Sequence, residues 1–217
     1  MAGLLRMLRL SFAPMGELRE NKKRETRQRI SDVATKLFFE RGFEEVTIDE
    51  IAVAAKVSKM TVFNYFARKE ELMLDREDDL KMLPFRQALI ERPDGTPPVD
   101  ALRACLAALN GQKHPLCYIN GQVLDWWRVV DASPSLQARL RELADEAAEG
   151  LAVALAGPNP DGLTRLKAGM IVLMVRTARE EAVRLLARGG SAKKANAAFL
   201  ALMAQGFSAV EALAPQV

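Results

Sequence analysis

The amino-acid sequence predicts an all-α protein with two helical domains. Apolar residues recur at helical spacing in almost every segment, and strict strand-like alternation is absent. A chain of 217 residues can hold a module of roughly 50 residues beside a larger domain. We expect a disordered extension over residues 1–20, a small helical module over 21–68 and a larger helical domain over 69–217.

Three closely spaced helices are predicted in the small module. Apolar residues between Ile30 and Phe38 follow an amphipathic helical pattern, which ends where Gly42 supplies a left-handed cap. Thr47 caps a second helix, and Glu50 three residues later completes a capping box. After a short turn, Ser58 caps a third helix of about two turns.

The remaining helices are predicted from the same periodicity. A fourth helix begins near Lys69 and continues past Pro84, which kinks or breaks it, and Arg92–Pro98 is a loop. The later helices are predicted at Val99–Leu109, Leu116–Val130, Ser135–Ala156, Leu163–Arg188 and Ala192–Leu213.

Positive charge is concentrated at the N-terminal end. Residues 1–69 contain 14 lysines and arginines against 9 acidic residues, whereas residues 70–217 contain 17 against 19. Such a distribution favours a polyanionic partner, although a solvated helix start explains the densest cluster equally well. That cluster consists of Arg19, Lys22, Lys23, Arg24, Arg27 and Arg29.

Several classes of function are disfavoured by composition. Two cysteines and one histidine cannot form the usual zinc site, and no cofactor-binding motif or catalytic motif is present. The longest apolar run, Met170–Val175, is far shorter than the ~20 residues of a membrane span. Arg6 and Arg9 interrupt the signal-like N-terminus, and Met15 offers an alternative start. We therefore expect a cytoplasmic protein that is not an enzyme.

The segment Thr47–Phe66 meets the requirements of a helix-turn-helix. Ala52 and Ala55 are small enough for two helices to pack closely. Val57, Val62 and Phe66 are apolar anchors for the second of these helices, and its predicted outward residues are Lys59, Thr61, Asn64 and Tyr65.

Two strings in this region, AxxLFFERGFEEVTIDEIA and KVSKMTVFNYFARKEEL, resemble the TetR family of transcriptional regulators over Arg24–Leu74. The resemblance implies an N-terminal helix-turn-helix DNA-binding domain and a C-terminal helical domain for ligand binding and dimerisation. It also implies DNA contacts from Arg27, Thr47, Ser58, Lys59, Met60, Thr61, Phe63, Asn64, Tyr65 and Lys69.

Two of these positions depart from the family pattern. Met60 replaces a glycine or small residue, and Phe63 replaces a tyrosine that could donate to a phosphate. Phe63 therefore either packs inward or contacts a thymine methyl group, while the Asn64 amide could pair with adenine.

In the C-terminal domain, aromatic and sulfur-containing residues could fill a core or line a ligand pocket. The pocket candidates are Met82, Phe85, Cys105, Cys117, Tyr118, Trp126, Trp127, Met170 and Met174. For the homodimer interface that the resemblance implies, the candidates are Leu173, Thr177, Phe199, Leu202, Met203 and Phe207.

The function expected from the resemblance is a homodimeric repressor that binds a palindromic operator and is released by a small lipophilic effector. An activator, or a redox-responsive regulator that uses Cys105 and Cys117, is the alternative within the family. A helical protein whose basic N-terminus binds DNA or lipid without sequence preference is a third possibility.

Overall fold

The computed structural model describes residues 15–213, and every regular element in this range is a helix. The all-α prediction is therefore confirmed. The chain divides into two compact units, one formed by residues 15–41 and 45–73 and the other by residues 42–44 and 74–213.

The N-terminal unit contains α1 (Met15–Arg41), α2 (Ile48–Ala54), α3 (Lys59–Tyr65) and α4 (Glu70–Met73). Residues 15–20 are helical, so the expected disordered extension is wrong there, and residues 1–14 lie outside the described part of the chain. Glutamate, arginine and lysine, which favour helices, allow α1 to begin this early. Gly42 follows α1 with φ +87°, as the predicted left-handed cap requires.

Both ends of α2 are capped by local hydrogen bonds. Thr47 and Glu50 form the predicted capping box at the start. At the other end, Lys56 takes φ 55°, and its N–H donates to the Val53 carbonyl while the Val57 N–H donates to the Ala52 carbonyl. This is a Schellman motif with lysine at the position that favours glycine. The buried core of the unit includes Ile30, Ala34, Phe38, Ile51, Ala52, Ala55, Val62, Phe66 and Leu72.

The second unit contains seven helices in the described range. They are α5 (Glu77–Leu80), α6 (Leu83–Ile90), α7 (Pro98–Gly111), α8 (Gly121–Ala132), α9 (Pro134–Ala156), α10 (Gly162–Ala187) and α11 (Ala192–Ala212).

The single helix predicted from Lys69 is wrong, because three short helices, α4, α5 and α6, occupy that stretch. Met82 takes a left-handed conformation with φ 55° between α5 and α6. Pro84 lies in the first turn of α6, where the missing N–H has no helical partner to lose. The proline therefore begins a helix instead of breaking one.

The helix predicted from Leu116 begins later, at Gly121, because Asn120 caps it by accepting from the Val123 N–H at 3.0 Å. The residues before the cap form a turn and a short irregular segment, which is tied to α11. The Ile119 N–H donates to the buried Asn196 side chain at 2.9 Å, and the Asn196 amide donates back to the Ile119 carbonyl at 2.7 Å. These paired bonds satisfy buried backbone groups that a helix would otherwise satisfy.

The core of the second unit lies among α6, α7, α9, α10 and α11. The turn between α10 and α11 is a Schellman motif in which the Gly190 N–H donates to the Leu185 carbonyl at 3.0 Å. No helix in residues 15–213 is long and apolar enough to cross a membrane. The most deeply buried side chains of α10 and α11 include Ile171, Val175, Ala178, Ala182, Phe199, Met203 and Phe207.

Candidate nucleic-acid interface and ligand cavity

One face of α3 is turned to solvent while the opposite face is anchored. Val62 and Phe66 are 0% and 1% exposed, as predicted. The exposed face is formed by Lys59, Met60, Phe63 and Asn64, whose spacing places them together on a helix. Met60 is 68% and Phe63 44% exposed, so Phe63 points outward and is not a core residue.

The hydroxyl groups near the start of α3 are engaged within the turn. The Ser58 hydroxyl accepts from the Thr61 N–H at 3.0 Å and lies 2.8 Å from the Thr61 hydroxyl. Thr47 is similarly held by its capping box with Glu50. These contacts hold the start of α3 in place, and the side chains of its exposed face take no part in capping.

Lys59 has a partner on the preceding helix. Its Nζ donates to the Asp49 carboxylate at 2.9 Å, with both side chains more than half exposed. An exposed ion pair of this kind contributes little to stability, so the ammonium group can exchange Asp49 for another anion at small cost.

Arg27 makes internal contacts at the end of α3. Its guanidinium donates to the Tyr65 carbonyl at 2.7 Å and lies 4.2 Å from the centre of the Phe66 ring. A cation at a helix C-terminus is favourable because the last carbonyls carry partial negative charge. The structure therefore gives Arg27 a role in holding α3. Lys69 lies near the Phe38 ring, with its Nζ 5.9 Å from the ring centre.

Glu50 carries the most strongly shifted carboxylate of this region. Hydrogen bonds from the Thr47 backbone, from Arg41 and from the Thr47 hydroxyl lower the pKa of Glu50 from 4.5 to about 2. The Arg41 guanidinium lies 2.7 Å from the carboxylate. The capping carboxylate is therefore ionised at any pH where the protein would bind a polyanion.

The second unit contains a cavity of about 590 Å³ that is partly open to solvent, and this volume is within the range of small-molecule sites. Its aliphatic lining comes from Leu80, Met82, Leu116, Leu140, Leu143, Ala144, Val172 and Val183. The rest of the lining is Trp127, Gln137, Asp131, Glu180, Arg141, Arg176, Arg179 and Arg184.

Two of the nine predicted pocket residues, Met82 and Trp127, line this cavity. Phe85 and Cys117 are 0% exposed and belong to the core, so their assignment to this pocket is corrected. Five others do not line it, and these are Cys105, Tyr118, Trp126, Met170 and Met174. Trp126 instead packs edge-on against Trp127, with ring centres 4.8 Å apart. On helices that are apolar on several faces, the hydropathy and size of a side chain do not show whether the residue lines a cavity or fills the core.

Arg179 is the functional candidate that sequence reasoning missed. Its guanidinium carbon lies 4.3 Å from the centre of the Trp127 ring, and its buried Nε has no hydrogen-bond acceptor among the described residues. Burial lowers the pKa of Arg179 to about 10, so the group stays protonated at neutral pH. A sequence signal existed, because Arg179 interrupts an apolar helical stripe that includes Val175 and Ala182.

The cysteines are poorly suited to redox chemistry. The Cys105 thiol donates to the Pro84 carbonyl at 3.6 Å, and burial raises its pKa. Burial, and to a smaller extent the nearby Cys105 thiol, raises the pKa of Cys117 to about 12. Thiolates, the reactive forms, are therefore disfavoured at both positions. Within residues 15–213, no cluster of three His, Cys, Asp or Glu side chains could hold a metal ion.

The six candidate dimer residues divide by exposure. Leu173 is 51% exposed, Thr177 is also exposed, and Leu202 is half-buried. The other three, Phe199, Met203 and Phe207, are 0–1% exposed and fill the core of the chain itself. These three are corrected to core residues, because a buried side chain offers no surface to a second copy.

An anchored third helix with a solvent-facing polar side, in a chain that also has a cavity-bearing helical unit, is typical of helix-turn-helix regulators. Residues 30–75 match the family model described as bacterial regulatory proteins, tetR family. Residues 30–75 therefore carry the sequence pattern of TetR-family transcriptional regulators, which are not enzymes, and TcmR is a curated relative that is a regulator of the helix-turn-helix type.

Individual relatives agree with this assignment. The chain is 32% identical over 132 residues to the HTH-type transcriptional regulator TcmR of Streptomyces glaucescens, covering 59% of this chain and 58% of TcmR. It is 39% identical over 97 residues to MftR of Mycobacterium tuberculosis, covering 43% of this chain and 48% of MftR. The chain thus spans about half the length of these relatives.

A solved structure shows the same fold. NalD of Pseudomonas aeruginosa, described as the secondary repressor of the MexAB-OprM multidrug efflux pump, superposes with a TM-score of 0.54 at 18% identity. The match covers 86% of this chain and 97% of NalD.

Proposed function

We propose that this chain regulates transcription by placing α3 in the major groove of an operator. The observation that carries this proposal is the solvent-facing side of α3, where Lys59, Met60, Phe63 and Asn64 lie together opposite the anchors Val62 and Phe66. A helix of this size fits the groove, and its polar side chains can reach base edges or phosphates.

The exposed residues suit two kinds of contact. Lys59 supplies positive charge for a phosphate or a guanine edge, and the Asn64 amide can pair with an adenine edge. Met60 and Phe63 offer apolar surface that fits thymine methyl groups. The remaining family positions, Ser58, Thr61, Tyr65 and Lys69, would contribute backbone contacts around this face.

The test measures binding of the full chain to fluorescent duplexes that tile the DNA upstream of its own gene. We expect one duplex to bind specifically, and both Lys59→Ala and Asn64→Ala to weaken that binding about tenfold. If Lys59 contacts a phosphate, Lys59→Ala should reduce the number of ions released on binding, measured from the salt dependence of the affinity, by about one. Asn64→Ala should instead change the preference for a base in the operator.

Lys36→Ala is the matched control, because Lys36 is an exposed lysine of the same unit on α1. It should bind the duplex like the wild type. If no upstream duplex binds specifically, or if both α3 variants bind like the wild type, the assignment of this face to an operator is wrong.

We also propose that the chain acts as a homodimer on a palindromic site. Two recognition helices about 34–36 Å apart would contact half-sites one turn apart, which a single short helix cannot specify. Support comes from α10, where Leu166 and Leu173 are 54% and 51% exposed and lie on one helical face with Met170 and Thr177. Exposed apolar residues at this spacing are typical of a helix-packing surface.

Light scattering after size-exclusion chromatography tests the dimer. Leu173→Asp should shift the wild-type dimer towards monomer, because it places a charge in an apolar interface. Val153→Asp is the control, since Val153 is an exposed apolar residue on α9. A monomeric wild-type protein at micromolar concentration, or an unaltered dimer in Leu173→Asp, would contradict the proposed interface.

The cavity in the second unit is the proposed effector site, and release from the operator by a small lipophilic molecule would make the protein a repressor acting in the cytoplasm. An effector shifts DNA affinity only through different affinities for two conformations. Reporter transcription from the bound promoter distinguishes repression from activation: deletion of the gene should raise a repressed promoter, and a fall in expression would show activation instead.

A further inference from the structure

The lining of the cavity in the second unit combines aliphatic side chains with a group of basic ones. It contains four arginines, Arg141, Arg176, Arg179 and Arg184, against two carboxylates, Asp131 and Glu180. One carboxylate is already engaged, because Glu180 pairs with Arg176 at 3.6 Å. Arg184 likewise pairs with Glu181 at 3.6 Å, so Arg141 and Arg179 remain against the single carboxylate of Asp131.

Arg179 is the arginine of this set whose surroundings demand an additional acceptor. Its Nε is shielded from solvent, and no described residue accepts a hydrogen bond from it. A buried charged donor without an acceptor is unfavourable, and no described protein group relieves it here. Because this Nε is closed to solvent, an anion in the cavity would pair with the terminal guanidinium nitrogens of Arg179, a residue that lines the cavity.

Trp127 restricts how such an anion can approach. The ring covers one face of the Arg179 guanidinium at 4.3 Å, and a guanidinium donates only within its own plane. Carboxylate and phosphate groups can accept two parallel hydrogen bonds from a planar guanidinium, whereas an uncharged amide or alcohol accepts weaker hydrogen bonds. Stacking on Trp127 also limits the rotamers of Arg179 before a ligand binds.

We propose that the cavity binds an organic anion with an aliphatic body, a carboxylate or a phosphate ester, whose head group pairs with Arg179 while its chain packs against Leu140, Leu143 and Val172. This inference rests on the proposed effector site and names the chemical class of its ligand. Arg141 also lines the cavity and adds positive charge to it.

Three probes with eight carbon atoms each separate charge from hydrophobicity: octanoate, octyl phosphate and the uncharged octanamide. Binding is followed by fluorescence of the full chain carrying Trp126→Phe, which leaves Trp127 as the sole tryptophan. We expect saturable binding of octanoate or octyl phosphate, and at least tenfold weaker binding of octanamide. Whichever anion binds more tightly identifies the head group.

Arg179→Gln should weaken binding of the preferred anion at least tenfold and leave octanamide within about twofold. Arg179→Lys keeps the charge but loses the planar guanidinium that can pair with two oxygens at once, so we expect intermediate affinity. Arg165→Gln is the matched control on α10, because Arg165 pairs with Glu149 and does not line the cavity. It should bind like the wild type.

Three results would overturn the proposal: octanamide binding as tightly as both anions, Arg179 variants that fold and bind the anion like the wild type, or no saturable binding of either anion. Circular dichroism spectra and thermal midpoints establish that each variant is folded. The titration contains no DNA, so its failure is separate from a failure of operator binding.

Discussion

Each of the two units places an arginine over an aromatic ring, but the two guanidinium groups differ in their hydrogen bonding. In the N-terminal unit, Arg27 lies 4.2 Å from the Phe66 ring centre and donates to the Tyr65 carbonyl. In the second unit, Arg179 lies 4.3 Å from the Trp127 ring centre, and its buried Nε has no acceptor among residues 15–213.

The difference shows that stacking by itself does not identify a ligand-binding arginine. Arg27 has both an aromatic partner and a carbonyl acceptor, so it stabilises the end of α3. Arg179 has an equivalent aromatic partner but retains donor capacity beside a cavity. Arg86 and Arg139 also have a buried Nε without an acceptor among the described residues but do not line the cavity, so the proposed binding role of Arg179 rests on its unsatisfied Nε together with its place in the cavity lining.

The largest expected effect tests this contrast through stability. Arg27→Met should destabilise the N-terminal unit by about 2 kcal/mol, because it removes both a charged hydrogen bond and a cation–π contact. Arg179→Met should change the stability of the second unit by less than about 1 kcal/mol, because it also removes an unsatisfied buried donor. Hydrogen–deuterium exchange of peptides from each unit measures both changes.

Arg24→Met provides the control for Arg27, since the exposed Arg24 bonds to the nearby Asn21 side chain on α1. It should leave exchange in residues 45–73 unaltered. Equal losses for Arg27→Met and Arg179→Met would remove the distinction between the two arginines.

A second prediction concerns the ion pair that competes with DNA. Asp49→Asn removes the carboxylate 2.9 Å from the Lys59 Nζ and also removes a negative charge beside the proposed interface. Affinity for the operator duplex should rise about fivefold at low salt, with a smaller gain at high salt. Asp32→Asn, at an exposed position on α1, tests whether net charge alone has this effect, and an equal gain there would contradict a specific role for Asp49.

The turn between α2 and α3 offers a third prediction. Lys56 adopts φ 55°, a conformation that costs an L-residue more than glycine. Lys56→Gly should therefore stabilise the N-terminal unit by about 1 kcal/mol, measured by exchange in peptides covering residues 45–73. Lys36→Gly, inside α1, should destabilise the same unit by about as much. A destabilised Lys56→Gly protein would show that the left-handed turn is not strained.

The smallest predicted effect is a pH dependence at the start of α2. The folded-state pKa of Glu50, about 2, lies below its ordinary value of 4.5. Glu50 therefore contributes stability above about pH 4.5 and loses it as pH falls towards 2. Glu50→Gln should flatten the decline of the thermal midpoint over this interval, while Glu45→Gln should retain the wild-type slope. Parallel slopes in all three proteins would argue against a shifted Glu50.

The features that sequence analysis predicted correctly depend on neighbours in the chain. The Thr47 and Glu50 capping box, the Ser58 cap and the left-handed Gly42 involve residues no more than a few positions apart. The Arg176 and Glu180 ion pair is also a local contact, because residues four apart are neighbours on a helix. Pro84 was misplaced because its effect depends on where the helix begins, and the left-handed Met82 determines that.

The sequence by itself determined the helical class, the order of the first helices and the exposure of Lys59 and Asn64 on α3, because capping and 3.6-residue periodicity are local properties. The other two predicted outward residues, Thr61 and Tyr65, are half-buried, and Met60 and Phe63 complete the exposed face. Only the tertiary structure decided that Phe199, Met203 and Phe207 fill the core, and that Arg27 is satisfied while Arg179 is not. Burial and hydrogen-bond satisfaction depend on which helices meet, and residues distant in the chain supply the partners.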